Sequence, residues 1–519
     1  MENKSNLEFT RRERLGDVYT DTGTEYSLPD YLGDVRRILF TKADVLPSGK
    51  FESGESVEFS GIVNYSVLYV DAENKMSEAS FSSDYDFAVK CGGRNVVGCN
   101  AKTGVSGFSL KLIGPRKISV KAALTSSVEL SCTQMLEIEG DAFDGEESVE
   151  VRRAGARVRA VGISESAERE YAEQLLHLDG AVADEISICY TDCECRVDSA
   201  EMSGAELLLG GEIIARALIN RADDSAFLAE SKIRFDESVP AGSIDDSMII
   251  LPNVNISSQK CAISAEENGV SLVMNLIAEF SATGISNKNV DVIADSYIKT
   301  KECENSFEPF HYSELVGFTK DRIEHTDTVA REELDFDGVR EVICLDTAVK
   351  VDGVEIEGDN ARISGQIKYS GILSGVDENA KIFYRPFKHT CDFEENVNSG
   401  CQNEGNLRAE AIVTPALSKA AIEPSCVRLS TPLTVVLTVN EEKEMPRLVK
   451  SSVIPDTEVA SDGVKVVVYY PDGKETLFDI AKKYHTTVGR IAADNGLTSK
   501  VSADSQPCAI GAKKLLILN

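Results

Sequence analysis

The sequence contains no run of apolar residues close to the roughly 18–20 that a membrane-spanning helix needs. Its first residues, MENKSNLEFTRRERLGD, also lack the apolar core of a signal peptide. These absences predict a soluble, unexported chain with a cytoplasmic localisation and no direct membrane insertion. Positive charge is in deficit too, because 54 Lys and Arg stand against 86 Asp and Glu, for a formal net charge of −32. Such a charge repels polyanions, so we expect no nucleic acid among the partners.

Paired cysteine motifs are missing as well. Thirteen cysteines are scattered along the chain without a CxxC pair, which is typical of reduced thiols rather than a disulfide framework. The tightest group is Cys189, Cys193 and Cys195, which alternation would place on one face of a strand. A zinc site there would need a fourth ligand, and the five histidines are isolated from one another in the sequence. We therefore expect no metal and no other cofactor.

Short catalytic motifs are absent from the sequence. It has no GxSxG, HExxH, GxGxxG or GxxxxGK[ST] segment. The many carboxylates lie on presumed turns and strand surfaces, although a pair brought together by folding would not show in the spacing. A hydrolase whose site is assembled across several domains stays an alternative, while the leading expectation is a protein that is not an enzyme and has no catalytic residues.

What the chain does contain is a repeat. The segments VEFSGIVNYSVLYVDAENK, LLLGGEIIARALINRADDS and ARISGQIKYSGILSGVDENA each place a glycine in an alternating strand that ends in an Asp/Asn-rich turn. These glycines, Gly61, Gly211 and Gly365, are 150 and 154 residues apart, so the repeating unit is a whole domain. Each copy continues into a strand with one marked aromatic residue: Phe87, Phe235 and Phe393.

Period-two alternation, with abundant Val, Ile, Thr and Ser, predicts antiparallel sheets packed as sandwiches. The predicted fold class is mainly β: three repeated antiparallel β-sandwich-like domains followed by a small α+β (βααβ) module. The predicted boundaries are 1–147, 148–310 and 311–440 for the three β domains, 441–464 for a linker and 465–519 for the small module. One helix is expected among the strands, at residues 164–178, SESAEREYAEQLLHL.

The C-terminal module can be interpreted residue by residue. A short strand, KVVVYY, precedes a turn, and the apolar residues that follow recur at helical spacing in two short segments. Thr476 and Thr487 are suited to cap those helices, and KKLLIL predicts a closing strand. This order and spacing resemble a LysM domain. The residues that match its pattern are Thr476, Leu477, Ile480, Ala481, Tyr484, Thr487, Ile491, Asn495, Leu497, Gly511, Leu515 and Ile517.

LysM domains generally bind N-acetylglucosamine polymers in a shallow groove between the loop after the first strand and the loop after the second helix. By this resemblance, the groove residues that would bind a partner or a glycan are Asp472, Gly473, Lys474, Glu475, Thr476, Leu477, Phe478, Asn495, Gly496 and Leu497. The chain departs from the family pattern at Lys474 and Glu475, which stand where Gly-Asp is usual. Phe478 points away from the main apolar stripe of its helix, so we expect it to be an exposed contact residue. The alternative is that its ring folds over the edge of the module core against the final strand.

The chain as a whole is similar to clostridial sporulation proteins that carry repeated SPOCS domains ahead of a C-terminal LysM domain. The resemblance rests on the three glycine-centred copies and on the LFDIAKKY helix at 477–484. It implies a mother-cell scaffold or adaptor, recruited to the forespore surface or spore coat, whose LysM domain binds the spore coat morphogenetic ATPase. The alternative is a peptidoglycan-binding protein of the wall or spore cortex. The module carries a net charge of +3 on a strongly acidic chain, which favours an acidic partner surface.

Overall fold

The computed structural model describes residues 7–53, 55–92, 96–143, 149–223, 225–333, 337–402, 405–458, 466–497, 501–507, 509 and 514–518. These ranges are mainly β, with separate antiparallel sheets and two short helices near the C-terminus, which confirms the predicted fold class. Neither helix is long or apolar enough to cross a bilayer.

The first sandwich is built from six strands. They are β1 (Leu7–Ser27), β2 (Arg37–Glu52), β3 (Ser56–Val70), β4 (Met76–Lys90), β5 (Val96–Gly114) and β6 (Lys117–Leu136). An inner sheet of order β2-β3-β4 packs on an outer sheet of order β1-β6-β5. Alternate residues of the central strands, such as Val63, Tyr65, Val120 and Val128, fill the space between the two sheets.

The second sandwich repeats the plan with one additional strand. Its elements are β7 (Val149–Ile163), β8 (Ala167–Asp179), β9 (Ile186–Ser203), β10 (Glu206–Arg221), β11 (Ala226–Pro240), β12 (Ile249–Glu266) and β13 (Gly269–Ile298). The inner sheet has the order β9-β10-β11. In the outer sheet, the 30-residue β13 pairs with β12 on one side and with β8 and β7 in succession on the other.

The third sandwich contains β14 (Lys301–Ala330), β15 (Val339–Glu357), β16 (Asn360–Val376), β17 (Ile382–Asn398), β18 (Leu407–Pro415), β19 (Lys419–Ile422) and β20 (Cys426–Glu458). Its inner sheet is β15-β16-β17, and its outer sheet is β14-β20-β18, with β19 also paired to β20. The chain then forms β21 (Val466–Tyr469), the helices α1 (Leu477–Lys483) and α2 (Val488–Asp494), and β22 (Leu515–Leu518).

The helix predicted at residues 164–178 is wrong. That segment is mostly strand β8, which pairs with β13 and shows alternating burial along its first half. Its side chains reach the inner sheet: Tyr171 donates a hydrogen bond to Glu237 and Ser231 donates one to Glu173. Pairing with a long strand has overridden the helical spacing of Tyr171 and Leu175.

The predicted linker at 441–464 is also wrong over its described part. Residues 441–458 are the second half of β20, and they pair with the first half of β14. The third domain therefore begins at Lys301 rather than at residue 311, and residues 459–464 lie outside the described residues. The paired extension packs on the second sandwich, where Phe310 lies against Val158 and Val290.

The three repeat glycines occupy the same place in the three inner sheets. Gly61, Gly211 and Gly365 lie on the central strands, opposite Tyr85, Phe235 and Phe393 in the neighbouring strand. A Cβ atom at these glycines would lie 2.5 to 2.7 Å from the opposing aromatic ring. The glycine thus lets the ring cover the strand backbone, and the aromatic equivalent in the first copy is Tyr85, not Phe87.

The three inner sheets meet in one shared apolar cluster. Seven residues after each glycine, Leu68, Leu218 and Ile372 are fully buried in it. The cluster also takes residues from the first strand of each inner sheet, at positions related by the same repeat spacing: Leu39, Phe40, Cys189, Tyr190, Ile343 and Cys344. The third strand of each inner sheet lies against the first strand of the next, so the repeats close around an approximate threefold axis.

Charged side chains lie beside this cluster. Lys42, Asp192 and Asp346 hold equivalent repeat positions, and Lys42 Nζ lies 2.7 Å from Asp192 Oδ1. Arg216 donates a second short hydrogen bond to Asp192.

The prediction that Cys189, Cys193 and Cys195 share one face of a strand is wrong. Cys189 lies at a bulge and joins the shared cluster, whereas Cys193 and Cys195 pack on the core of the second sandwich, so the three do not share a face.

Candidate functional site

The C-terminal module forms as its sequence predicts. β21 and β22 pair antiparallel, and the two helices pack over them around Leu477, Ile480, Ile491 and Leu515. Thr476 caps α1 in a capping box: its hydroxyl accepts from the Asp479 N–H, and the Asp479 carboxylate accepts from the Thr476 N–H. Thr487 caps α2 by accepting from the Arg490 N–H.

The first loop of the predicted groove is a tight turn held by Asp472. Its carboxylate accepts hydrogen bonds from the N–H groups of Lys474 and Glu475, at 2.8 and 3.2 Å, and these bonds hold the pKa of Asp472 below its usual range. Gly473 has a φ of +88°, which favours glycine. Asp472 and Lys474 are exposed, and Glu475 accepts a hydrogen bond from Tyr469.

The second loop lies against the start of α1. The N–H groups of Leu477 and Phe478 donate to the carbonyls of Ser505 and Ala503, at 2.9 and 3.1 Å. The structure thus brings together the two loops that the sequence assigned to one groove. Gly496 is exposed at the end of α2, with a φ of +62°.

Several predicted groove residues hold the fold rather than face solvent. Leu477 is fully buried, and Leu497 is half-buried against the module core. The Asn495 amide donates to the carbonyls of Ile491 and Leu516 and accepts from the Leu516 N–H, so it fastens β22 to α2. The residues left exposed for a ligand are Asp472, Lys474 and Gly496.

The prediction that Phe478 is an exposed contact is wrong. Phe478 is 1% exposed, and its ring packs edge-on against Tyr297 at the end of β13, with ring centroids 5.2 Å apart. The Arg152 guanidinium lies over the Phe478 ring, 5.4 Å from its centroid. The second sandwich covers the side of α1 that sequence spacing left unassigned.

Polar contacts surround this aromatic pair and dock the module on the β domains. Tyr297 donates a 2.6 Å hydrogen bond to the Thr486 carbonyl, and Lys482 binds both oxygens of Asp295 at 2.8 Å. Arg152 pairs with Asp479 at 3.2 Å. Two of the module's charged side chains are therefore engaged with the body of the same chain and are not free to attract a partner.

The outer face of the two-stranded β21–β22 sheet is a surface that was not predicted from the sequence. Val466, Val468 and Tyr470 are 60%, 54% and 70% exposed. Val466 and Val468 pair with Leu518 and Leu516, which are half-buried. Alternation within KVVVYY could have indicated this surface, because a two-layer module can cover only one face of its sheet. We call these five residues the hairpin face.

Metal-binding side chains do not cluster in the described part of the module. Over all the described residues, one group of side chains could hold an ion, formed by Asp327, His389 and Cys391 of the third sandwich. The thiols of Cys189, Cys193 and Cys195 are free.

Comparison with known proteins agrees with the local geometry. Residues 474–501 match the LysM domain family. No curated protein and no solved structure matches the chain significantly. The chain therefore carries a LysM domain, whose family supports binding to N-acetylglucosamine polymers or a scaffold role, behind three β sandwiches.

Proposed function

We propose that the protein is a non-catalytic scaffold or adaptor of spore coat assembly, and that its LysM domain binds the coat morphogenetic ATPase. The single observation that supports this most is the way the LysM domain is mounted. Its α1 side is fixed to the second sandwich through Phe478 and Tyr297, while the hairpin face points to solvent. A small module held rigidly on a larger body with one apolar face exposed suits protein recognition.

The surface chemistry of the module supports a protein partner. Val468 and Tyr470 offer the apolar and aromatic contact area that is enriched at the centre of protein interfaces. Lys474 and Glu475 stand in the first loop where the family usually has Gly-Asp. The mother-cell cytoplasm, with recruitment to the forespore surface or coat, is the compartment we propose, because the ATPase partner would act there.

A second candidate is binding of peptidoglycan in the groove between the two loops. The hydrogen bonds that join Leu477 and Phe478 to Ser505 and Ala503 support it, as does the LysM match. In this case the exposed side chains of Asp472 and Lys474 would contact the sugar, and the hairpin face would not contact it.

Two variants of the full-length chain separate these candidates. The hairpin-face variant, Val468→Ser with Tyr470→Ser, changes exposed side chains only, and the groove variant is Asp472→Ala with Lys474→Ala. We expect purified coat ATPase to bind the wild type and the groove variant, and to bind the hairpin-face variant at least tenfold more weakly. The glycan candidate would instead be supported if the wild type sediments with purified peptidoglycan, the groove variant does not, and the wild type does not bind the ATPase.

A further inference from the structure

Two histidines, a cysteine and an aspartate converge at one edge of the third sandwich. His325 and Asp327 lie two residues apart on β14, and His389 and Cys391 lie two residues apart on β17. These are the edge strands of the outer and inner sheets, so the four side chains lie near the open edge of the sandwich. Histidines isolated in sequence are thus brought to one place, and spacing along the chain could not predict it.

The distances among three of these side chains suit a single metal ion, because ligand atoms of Asp327, His389 and Cys391 all lie within 4.8 Å of one another. His325 is not part of that group but lies beside it, with its Nε2 3.8 Å from Cys391 Sγ. Around tetrahedral Zn²⁺, bonds of about 2.0–2.3 Å place neighbouring ligand atoms roughly 3.3–3.7 Å apart. His389 Nε2 and Asp327 Oδ2, now 2.6 Å apart in a hydrogen bond, would need to separate by under about 1 Å.

The surroundings supply the support that metal ligands need. Glu395 Oε1 lies 3.5 Å from His325 Nδ1, the nitrogen that would not bind the ion, as in carboxylate–histidine–zinc arrangements. The buried Tyr369 ring stacks on His389, with centroids 6.2 Å apart. The His325 and Asp327 side chains are 14% and 27% exposed, which leaves a path to solvent.

The other two sandwiches carry different residues at the positions of His389 and Cys391. In strand register, Cys391 corresponds to Ser83 and Ile233, and His389 corresponds to Phe81 and Ser231. The same kind of sandwich therefore forms without a histidine and a cysteine at these two positions, so the fold does not require them.

Catalysis by Cys391 fits these observations less well. Burial, and then the nearby Asp327 carboxylate, raises the pKa of the Cys391 thiol to about 12, so the free thiol is protonated and a weak nucleophile. The four side chains together suit zinc better than magnesium or calcium, because they offer two imidazoles and a thiolate. With Cys391 deprotonated on binding and its proton released to water, the thiolate and the Asp327 carboxylate balance the charge of a divalent ion.

We propose that the third sandwich binds one Zn²⁺ through His325, Asp327, His389 and Cys391, and that the ion clamps β14 to β17 across the open edge. This site is independent of the LysM domain and of the proposed adaptor function.

Cobalt(II) titration of the metal-free, full-length chain tests the site, with Zn²⁺ as competitor. We expect one ion per chain, a thiolate-to-cobalt absorption band that Zn²⁺ abolishes, and a higher melting temperature with Zn²⁺. His389→Phe with Cys391→Ser installs the residues of the first copy, and we expect it to lose the band and at least 100-fold in Zn²⁺ affinity. Glu395→Gln, which leaves the ligands intact, should weaken binding roughly tenfold.

Cys193→Ser is the matched control, because Cys193 is a half-buried thiol in another sandwich, and it should leave the titration unchanged. Circular dichroism of the metal-free variants establishes that each is folded. If the double variant does not fold, Asp327→Asn, which keeps the side-chain shape, replaces it and should show the same affinity loss. Absence of tight binding by the wild type, or binding that is unchanged in the folded ligand variants, would overturn the proposal.

Discussion

At the scale of single residues, the inner sheets depend on a glycine that faces an aromatic ring. In the third copy, a methyl group at Gly365 would meet the Lys350 carbonyl oxygen and would lie 2.7 Å from the Phe393 ring. Neither neighbour can withdraw easily, because one is main chain and the other is 4% exposed in the core. The position is therefore fixed by packing on both sides.

Gly365→Ala should therefore destabilise the protein by about 1–3 kcal/mol, the usual cost of overpacking a core. Gly353→Ala is the control, because its added methyl group would have Ser364 Oγ as nearest neighbour, at 3.5 Å. It should change stability by less than about 0.5 kcal/mol. Urea unfolding of both variants checks this, and equal losses would show that Gly365 is not limited by packing.

At the scale of elements, individual strands and helix caps can be predicted well from the sequence. Which strands pair with each other can be predicted only poorly. The glycine-centred hairpins and the caps at Thr476 and Thr487 follow from neighbouring residues, and the structure confirms them. The helix predicted at 164–178 failed because β13, about 100 residues away, provides a strand for β8 to pair with. The linker predicted at 441–464 failed for the same reason, since β14 pairs with 441–458.

The candidate site shows the same division. Sequence spacing identified the module and both groove loops, because a LysM pattern is local. It placed Phe478 on the outside because Tyr297 and Arg152, which cover that ring, belong to a different domain. The exposed hairpin face and the His325–Cys391 cluster also depend on which strands lie side by side, and that is decided by long-range packing.

The docking of α1 on the second sandwich can be tested through its central ring. Phe478→Ala should cost about 3–5 kcal/mol through loss of buried contacts and the cavity left behind. Amide hydrogen exchange should rise across 477–497, while the cores of the three sandwiches keep their protection. Tyr470→Ala, an exposed aromatic of the same module, should leave exchange unchanged. Unaltered exchange in Phe478→Ala would contradict the docked arrangement.

At the scale of the whole molecule, the three repeats share one apolar cluster and should not unfold independently. Leu218 lies in that cluster with no exposed surface, whereas Leu208, on the same strand β10, is 47% exposed. Leu218→Ala should lower the free energy of unfolding by about 2–5 kcal/mol. We expect Leu208→Ala to cost less than about 1 kcal/mol. A Leu218→Ala loss confined to the second sandwich in hydrogen exchange would show that the repeats are uncoupled.

The charged residues beside the cluster predict opposite effects of pH. Burial alone would raise the pKa of Asp192, but Lys42 and Arg216 outweigh it and hold that pKa below its usual range. Asp192 therefore contributes stability above about pH 4 that is lost as the pH falls through its folded pKa. Burial raises the pKa of Asp346, so its contribution is present at low pH and is lost as the pH rises through its raised pKa.

Asp192→Asn should consequently be destabilising at neutral pH, by roughly 3 kcal/mol or more, because Lys42 and Arg216 lose their charged partner. Its deficit should shrink as the wild-type carboxylate protonates below about pH 4. Asp346→Asn should instead be stabilising relative to the wild type at neutral pH, with the difference vanishing on acidification. Urea unfolding from neutral pH to well below pH 4 measures both, and parallel profiles would refute the assignment.

We propose that the LysM domain, fixed to a body of three repeats, serves protein recognition. The most direct measurement is a pull-down from sporulating-cell lysate with the full-length chain as bait, run beside the hairpin-face variant and beside peptidoglycan sedimentation. We expect the wild type to capture the coat ATPase, the hairpin-face variant to lose this capture, and neither to sediment with glycan. Sedimentation with glycan and no capture of the ATPase would contradict the proposal.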